Sequence, residues 1–288
     1  MSAANFPVRS LDAAGYGATF AVLLRHSLEY GPMGQAVADR LRDIAAGSDA
    51  GWRLLDVGAG DGGLIGGLLA DLPACGRWLA LEPDRPRFEA LRERQAACGL
   101  PPHVIGCRQL AYEAAAIAEL ANGIESGAEQ PFHMVLFSHS LYWLPRPIEL
   151  LEASLGLLAD GGMLLVLHQG PFGCWQLHAT FAPLLQRDRP TGPDHGLHGL
   201  AIAQALRARG HAVSLEYLPG GFDVTGIMGV DGAEERHALI SFALQIEWAS
   251  VPGELREDLD AWFRAAVVTD GLGRTLWHQP TTLVTVRS

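Results

Sequence analysis

Basic side chains are scarce in this 288-residue chain. Lysine and arginine together number 21 against 32 aspartates and glutamates, giving a net charge of −11 and an isoelectric point near 5.4. A field of that sign repels phosphate polyanions, so no nucleic-acid partner is expected. Cysteine is sparse as well. Cys75, Cys98, Cys107 and Cys174 show no CxxC spacing and no histidine at ligand distance. This excludes a zinc ribbon or disulfide framework, predicts no metal site, and reads as buried thiols in a reducing compartment. Long apolar runs are missing. The greasiest stretch, Leu150 to Leu167, is broken by Glu152, Asp160, Gly161 and Gly162, so it reads as helix, turn and strand, and no membrane partner is expected. The first fifteen residues carry no apolar run behind a basic start. No secretory signal is read there, and a cytoplasmic location is expected.

What is present is a core-forming composition, 49% hydrophobic and 18% charged, sufficient for one large domain or a core domain with a smaller cap. No internal repeat or low-complexity tract appears. Short apolar runs alternate with helical patterns through the middle of the chain, the pattern of an α/β sheet. Strands are predicted at Arg53 to Val57, Trp78 to Leu81, Val104 to Cys107, Met134 to Ser138 and Met163 to Leu167, with two more at Ala212 to Tyr217 and Thr282 to Val286. Helical stretches between the first five imply parallel pairing and right-handed crossovers. Helices are predicted over Leu11 to Glu29 and Met33 to Ala45 before the sheet, and over Glu234 to Trp248 and Pro252 to Ala266 before the last strand. Such additions suit a lid or cap. Ile65 to Leu69 and Phe88 to Leu91 read as core faces of the first two sheet helices.

The most informative stretch runs from Leu54 to Leu64, where an apolar strand enters the turn Gly58-Ala59-Gly60-Asp61-Gly62-Gly63 and then a helix. Glycine lets the backbone turn sharply and approach a ligand closely. Gly58, Gly60 and Gly63 also satisfy GxGxxG, so a dinucleotide site has to be weighed. Asp56 discriminates, because dinucleotide sites usually have an apolar residue there and a carboxylate suits a cationic ligand better than a pyrophosphate. The second strand ends at Glu82, whose carboxylate can accept ribose hydroxyls.

The fourth strand ends at Ser138 and runs into His139-Ser140-Leu141-Tyr142-Trp143. In an open parallel sheet the carboxyl ends of the strands line the ligand crevice, so these side chains should face cofactor and substrate.

With Asp56, Gly58, Gly60 and Glu82 in this order, the sequence resembles the class I S-adenosylmethionine-dependent methyltransferases, and more narrowly the histamine N-methyltransferases. The resemblance implies a Rossmann-like, seven-stranded, mostly parallel sheet with helices on both faces. N-terminal helices and a helical insertion before the last strand would form a substrate cap. It implies three parts: a helical lid over residues 1–48, a cofactor-binding core over 49–170, and cap helices with the last two strands over 171–288. It implies S-adenosylmethionine as cofactor, held by Asp56, Gly58, Ala59, Gly60, Glu82, Arg87, Gln109 and Ser138. Tyr16 and Phe20 match aromatics that wall the substrate pocket, and Glu29 matches the glutamate that grips the substrate amine. Tyr142, Trp143, Trp175 and Gln279 are carried over as further substrate contacts, with His139 at the place of a substrate-binding glutamine. His139 and Gln279 depart from the family's glutamine and asparagine, so the polar pairing around an acceptor ring differs and histamine itself need not be the substrate.

The expected reaction is methyl transfer to a small acceptor carrying an amine or imidazole, catalysed chiefly by alignment, with His139 the best-placed base where the attacking atom must first lose a proton. O- or C-methylation of a small metabolite, a NAD-dependent oxidoreductase and a silent cofactor-binding module are the competing readings. The expected assembly is a monomer or homodimer.

Overall fold

The computed structural model describes residues 5–47, 51–69, 76–98, 105–189 and 196–288. Cys75 and Val104 lie outside them. Two compact units are formed, one from residues 30–168, 199–216 and 282–288, the other from residues 1–29, 169–198 and 217–281.

The first unit is built on a seven-stranded sheet. Its strands, labelled in chain order, are β1 (Arg53–Val57), β2 (Arg77–Leu81), β3 (Ile105–Arg108), β4 (Phe132–Ser138), β5 (Leu158–Gln169), β6 (Val213–Leu218) and β7 (Thr281–Arg287). The spatial order is 3-2-1-4-5-7-6, and β1 to β5 pair in parallel. Every residue of β1 is buried, as are six of the seven in β7. Strands covered on both faces lack the apolar–polar alternation of half-exposed strands, and here the burial takes in Arg53 and Asp56 of β1 and three threonines of β7. The helices Tyr30–Ala46, Gly63–Gly66 and Arg85–Ala97 pack with one another, and Ala114–Glu125, Pro147–Leu155 and Gly199–Ala208 form a second group. The direction of strand order reverses between β1 and β4, and the carboxyl ends of these two strands flank the switch point of the sheet.

The second unit combines the helices Ala13–His26, Cys174–Phe181, Ala233–Leu244 and Gly253–Ala265 with a small antiparallel sheet of Gly221–Asp223, Thr275–His278 and Val267–Thr269. Trp277 is fully buried there, its ring against Phe222 and Phe263.

Several sequence expectations need correction. The first helix stops at His26, because Ser27 turns extended to bridge Phe222, so Glu29 lies beyond it. The helix after the glycine turn is a single turn, Gly63–Gly66, with Ile65 its buried residue; consecutive glycines at positions 62, 63, 66 and 67 give helix little support. Phe88 is only half-buried, while Leu91 is core. The stretch from Glu234 breaks at Leu244, where Gln245 adopts a left-handed conformation. The fifth strand is far longer than predicted, twelve residues, absorbing Asp160 and Gly161, both exposed, and the buried Gly162. A short parallel pair, Phe6–Val8 with Leu185–Arg187, is unforeseen. Cys174 is buried, but Cys98 and Cys107 are half-exposed. Among the described residues no helix is long and apolar enough to cross a membrane.

Candidate active site

The glycine turn leaves β1 at the switch point. Gly58, Gly60 and Gly62 all sit at positive φ, +70°, +61° and +75°, where an L side chain is strained. Two of them are also packed tightly. A Cβ on Gly58 would lie 2.5 Å from Ser140 Cβ, and one on Gly62 would lie 2.6 Å from Leu91. Gly60 differs, since a Cβ there would meet nothing within 4 Å. The turn is anchored from below and open above.

The anchors are backbone and carboxylate. Gly58 and Ala59 both donate their N–H groups to the Leu81 carbonyl, at 2.9 and 3.0 Å. Glu82, buried at 5% exposure, accepts the Gly60 N–H on Oε2 at 2.8 Å and the Asp84 N–H on Oε1 at 2.9 Å. Each oxygen retains a lone pair for a further donor. Asp56 is buried too and accepts the Trp78 indole N–H at 3.2 Å. Desolvation pushes its carboxyl up to about 7; the Trp78 hydrogen bond opposes that and the Glu82 charge adds to it. Glu82 thus braces the turn through Gly60 while its charge acts on Asp56, two residues before Gly58. Ser140 Oγ, also buried, has no hydrogen-bond partner among the described residues.

The other predicted cofactor positions are Ser138, Arg87 and Gln109. Ser138 ends β4 opposite Leu167 in register. The Arg87 backbone N–H is capped by Asp84, and Gln109 is exposed, its amide 3.4 Å from the Pro83 carbonyl.

Beyond β4, His139 takes a left-handed φ of +49° and donates its N–H to the Leu167 carbonyl at 2.9 Å. Its Nδ1 lies 3.2 Å from the Tyr142 hydroxyl. Tyr142 in turn packs on His168, the ring centroids 4.2 Å apart. Trp143 points largely into solvent at 52% exposure.

In the second unit, Glu29 is 5% exposed. Oε1 accepts the Thr281 hydroxyl at 2.7 Å, and the other oxygen carries no hydrogen bond or ion pair among the described residues. A carboxylate so buried without a cation is expensive to desolvate. Gln279, also buried, caps the helix starting at Cys174 by accepting that residue's N–H at 2.8 Å. The Cys174 thiol is pushed well up by burial and by the neighbouring Glu29 charge. Tyr16 and Phe20 stack at 5.9 Å, and both pack against Phe242. The Trp175 indole donates to the Gly196 carbonyl at 2.9 Å, and its ring meets His198 edge-on.

Trp78, His168, Phe242 and Thr281 escaped the sequence reading as site residues. Trp78 and His168 carry a usable signal only once strand pairing is known. Asp56 pairs with Ala80 and Ser138 with Leu167, so Trp78 lies two residues before the partner of Asp56 and His168 one residue after the partner of Ser138. A separate concavity of about 430 Å³ in the second unit, lined by Leu11, Thr19, Glu234, His237 and Trp248 among others, takes in none of the predicted residues.

No family model and no curated protein matches the chain. Solved structures do match. A protein of Galdieria sulphuraria assigned as a sarcosine dimethylglycine methyltransferase superposes with a TM-score of 0.50 at 12% identity, over 88% of this chain and 84% of its own. The fold is that of the class I methyltransferases. A methyltransferase of Bacillus halodurans (TM-score 0.47, 15% identity, 87% of this chain and 97% of its own) and a SAM-dependent methyltransferase of Archaeoglobus fulgidus (0.46, 15%, 88% and 94%) are also similar in structure. Nothing among these neighbours singles out the histamine enzymes.

Proposed function

We propose that the chain is an S-adenosylmethionine-dependent methyltransferase that N-methylates a small acceptor bearing an amine or imidazole. One observation carries the choice of cofactor: two buried acids stand at the glycine turn, Glu82 bonded to the Gly60 N–H and Asp56 two residues before Gly58, and Gly60 is open on its Cβ side. Two acids at that place repel a pyrophosphate, which a dinucleotide would have to lay on the turn, and favour a cationic ligand. The residues present fit that ligand. Gly60 leaves room for close approach, Glu82 has lone pairs for ribose hydroxyls, and Ser140 Oγ offers an unused buried hydroxyl. When bound, the cofactor supplies a methyl group on a positively charged sulfur.

The chain's own part is then to bind, orient and deprotonate. Glu29 supports an amine acceptor, because a buried carboxylate with one oxygen unengaged is stabilised by a cation arriving from solution. Its Thr281 bond holds the other oxygen in place. His139 stands beside the Tyr142 hydroxyl, where it can take a proton from an acceptor that must lose one. Tyr16, Phe20 and Trp175 are assigned to the acceptor's apolar surroundings, Gln279 to its polar side.

Calorimetric titration with S-adenosylhomocysteine and with NAD tests the cofactor. Binding of the first alone is expected, and preference for NAD would overturn the reading. Incubation with methyl-labelled cofactor across amine, imidazole, phenol and keto-acid panels then tests the acceptor, with label expected on nitrogen.

A further inference from the structure

The sequence reading placed the proton-accepting task on His139 alone, and the structure adds two neighbours to it. Tyr142 contacts two imidazoles that also neighbour each other, the His139 and His168 ring centroids being 6.4 Å apart. Its hydroxyl is 3.2 Å from His139 Nδ1, and its ring is nearly parallel to that of His139, at 11° and 6.1 Å. The His168 ring packs against it at 4.2 Å and 32°. His168 is completely buried at the end of β5, and its carbonyl accepts the Thr282 hydroxyl at 2.8 Å. The backbone of His139 is itself fastened to β5 through the Leu167 carbonyl. Both imidazoles are thus pinned to the same strand end, and the phenol packs against the pair.

A fully buried histidine is uncommon, and an aliphatic residue would fill that core position without desolvating two ring nitrogens. The left-handed backbone at His139 is a second departure from what stability alone would select, and such departures cluster at functional sites.

We propose that Tyr142 and His139 form a two-step proton relay, with His168 the positioning residue that holds the phenol in line. This rests on the methyltransferase reading above. The acceptor's N–H or O–H proton passes to Tyr142 Oη as the phenol proton passes to His139 Nδ1. The acceptor keeps the electron pair and uses it to bond the methyl group, whose former bonding pair stays on the donor sulfur. One positive charge thereby disappears at sulfur and one appears on the His139 imidazolium, so charge and protons balance. His139 must start neutral with its proton on Nε2, because Nδ1 has to accept. His168 acts through packing, so an aromatic ring of similar shape should replace it and a small residue should not.

Long-range nitrogen–proton NMR on histidine-labelled protein reads this directly and needs no substrate. The His139 signals are identified by their loss in His139→Gln. In the wild-type protein, neutral His139 is expected as the Nε2–H tautomer. Tyr142→Phe and His168→Ala should both move it toward a tautomer mixture, whereas His168→Phe should keep it. With an acceptor in hand, Tyr142→Phe and His168→Ala should lower kcat by about a hundredfold, in the range of general acid–base effects, with KM changed far less. His168→Phe should stay close to wild type. A wild-type His139 carrying its proton on Nδ1 would overturn the relay, and a tautomer indifferent to His168→Ala would overturn the positioning role. Titration of the same samples with S-adenosylhomocysteine separates the claims: no binding counts against the cofactor reading, while the tautomer alone judges the relay.

Discussion

Glu82 holds the glycine turn in the shape that leaves its outer face open, because one carboxylate oxygen accepts the Gly60 N–H at 2.8 Å while the other accepts the Asp84 N–H. The acid that ends β2 is therefore a structural brace for the residue beside which a ligand would lie. Glu82→Gln keeps one acceptor and should preserve the fold. Glu82→Ala frees two amide groups and removes the partner of any ribose hydroxyl, so affinity for S-adenosylhomocysteine should fall by about 1.5–3 kcal/mol. Calorimetry on both variants, with circular dichroism to monitor folding, makes the comparison.

Gly58 and Gly60 should respond differently to substitution. Gly58→Ala adds left-handed strain, roughly 1–2 kcal/mol, to a clash with Ser140, and its urea midpoint should drop accordingly. Gly60→Ala carries the same strain without a clash, so its loss of stability should be the smaller. Gly60→Val should abolish cofactor binding. Unchanged affinity in that variant would remove the turn from the site.

The Asp56 carboxyl, raised from 3.8 to about 7, gives a signed pH prediction. The folded protein keeps this proton to higher pH than the unfolded chain. Folding therefore takes up a proton between those values, and stability from this group declines as pH rises from 3.8 to about 7, by at most about 4 kcal/mol. Asp56→Asn should flatten that slope in urea unfolding across pH 4 to about 8. Trp78→Phe removes the bond that favours the ionised form, so it should raise the carboxyl further and steepen the slope. A sulfonium near Asp56 favours the carboxylate, so S-adenosylmethionine binding near pH 7 should release protons, measurable as a buffer-dependent binding enthalpy.

Glu29→Gln preserves an acceptor for Thr281 and deletes the charge. If the acid holds an amine in both ground and transition states, KM should rise about tenfold to a hundredfold, the equivalent of a charged hydrogen bond, with kcat nearly unchanged. A fall in kcat with constant KM would reassign the residue.

Gln279→Ala leaves the Cys174 N–H buried without its acceptor, which should cost about 1–3 kcal/mol in thermal or urea unfolding. This variant tests a helix-capping role apart from any contact with the acceptor.

The linear order of residues was enough for the sheet and its glycine turn. Buried parallel strands leave continuous apolar runs, a turn of positive φ demands glycine, and an acid at a strand end stands out against its apolar neighbours; Arg53–Val57 matches its predicted span to the residue. These are local signals, each written within a few consecutive positions. The partners of the site residues needed three dimensions. Trp78 meets Asp56, and His168 meets Tyr142, because parallel pairing sets residues from distant segments side by side, and no periodicity along the chain encodes which strand neighbours which. Glu29 has the same history: its chain position suggested a helix end, but the extended turn at Ser27 carries it into the interior against Thr281, 252 positions away. Burial of an acid depends on everything packed around it, and that is a property of the assembled fold.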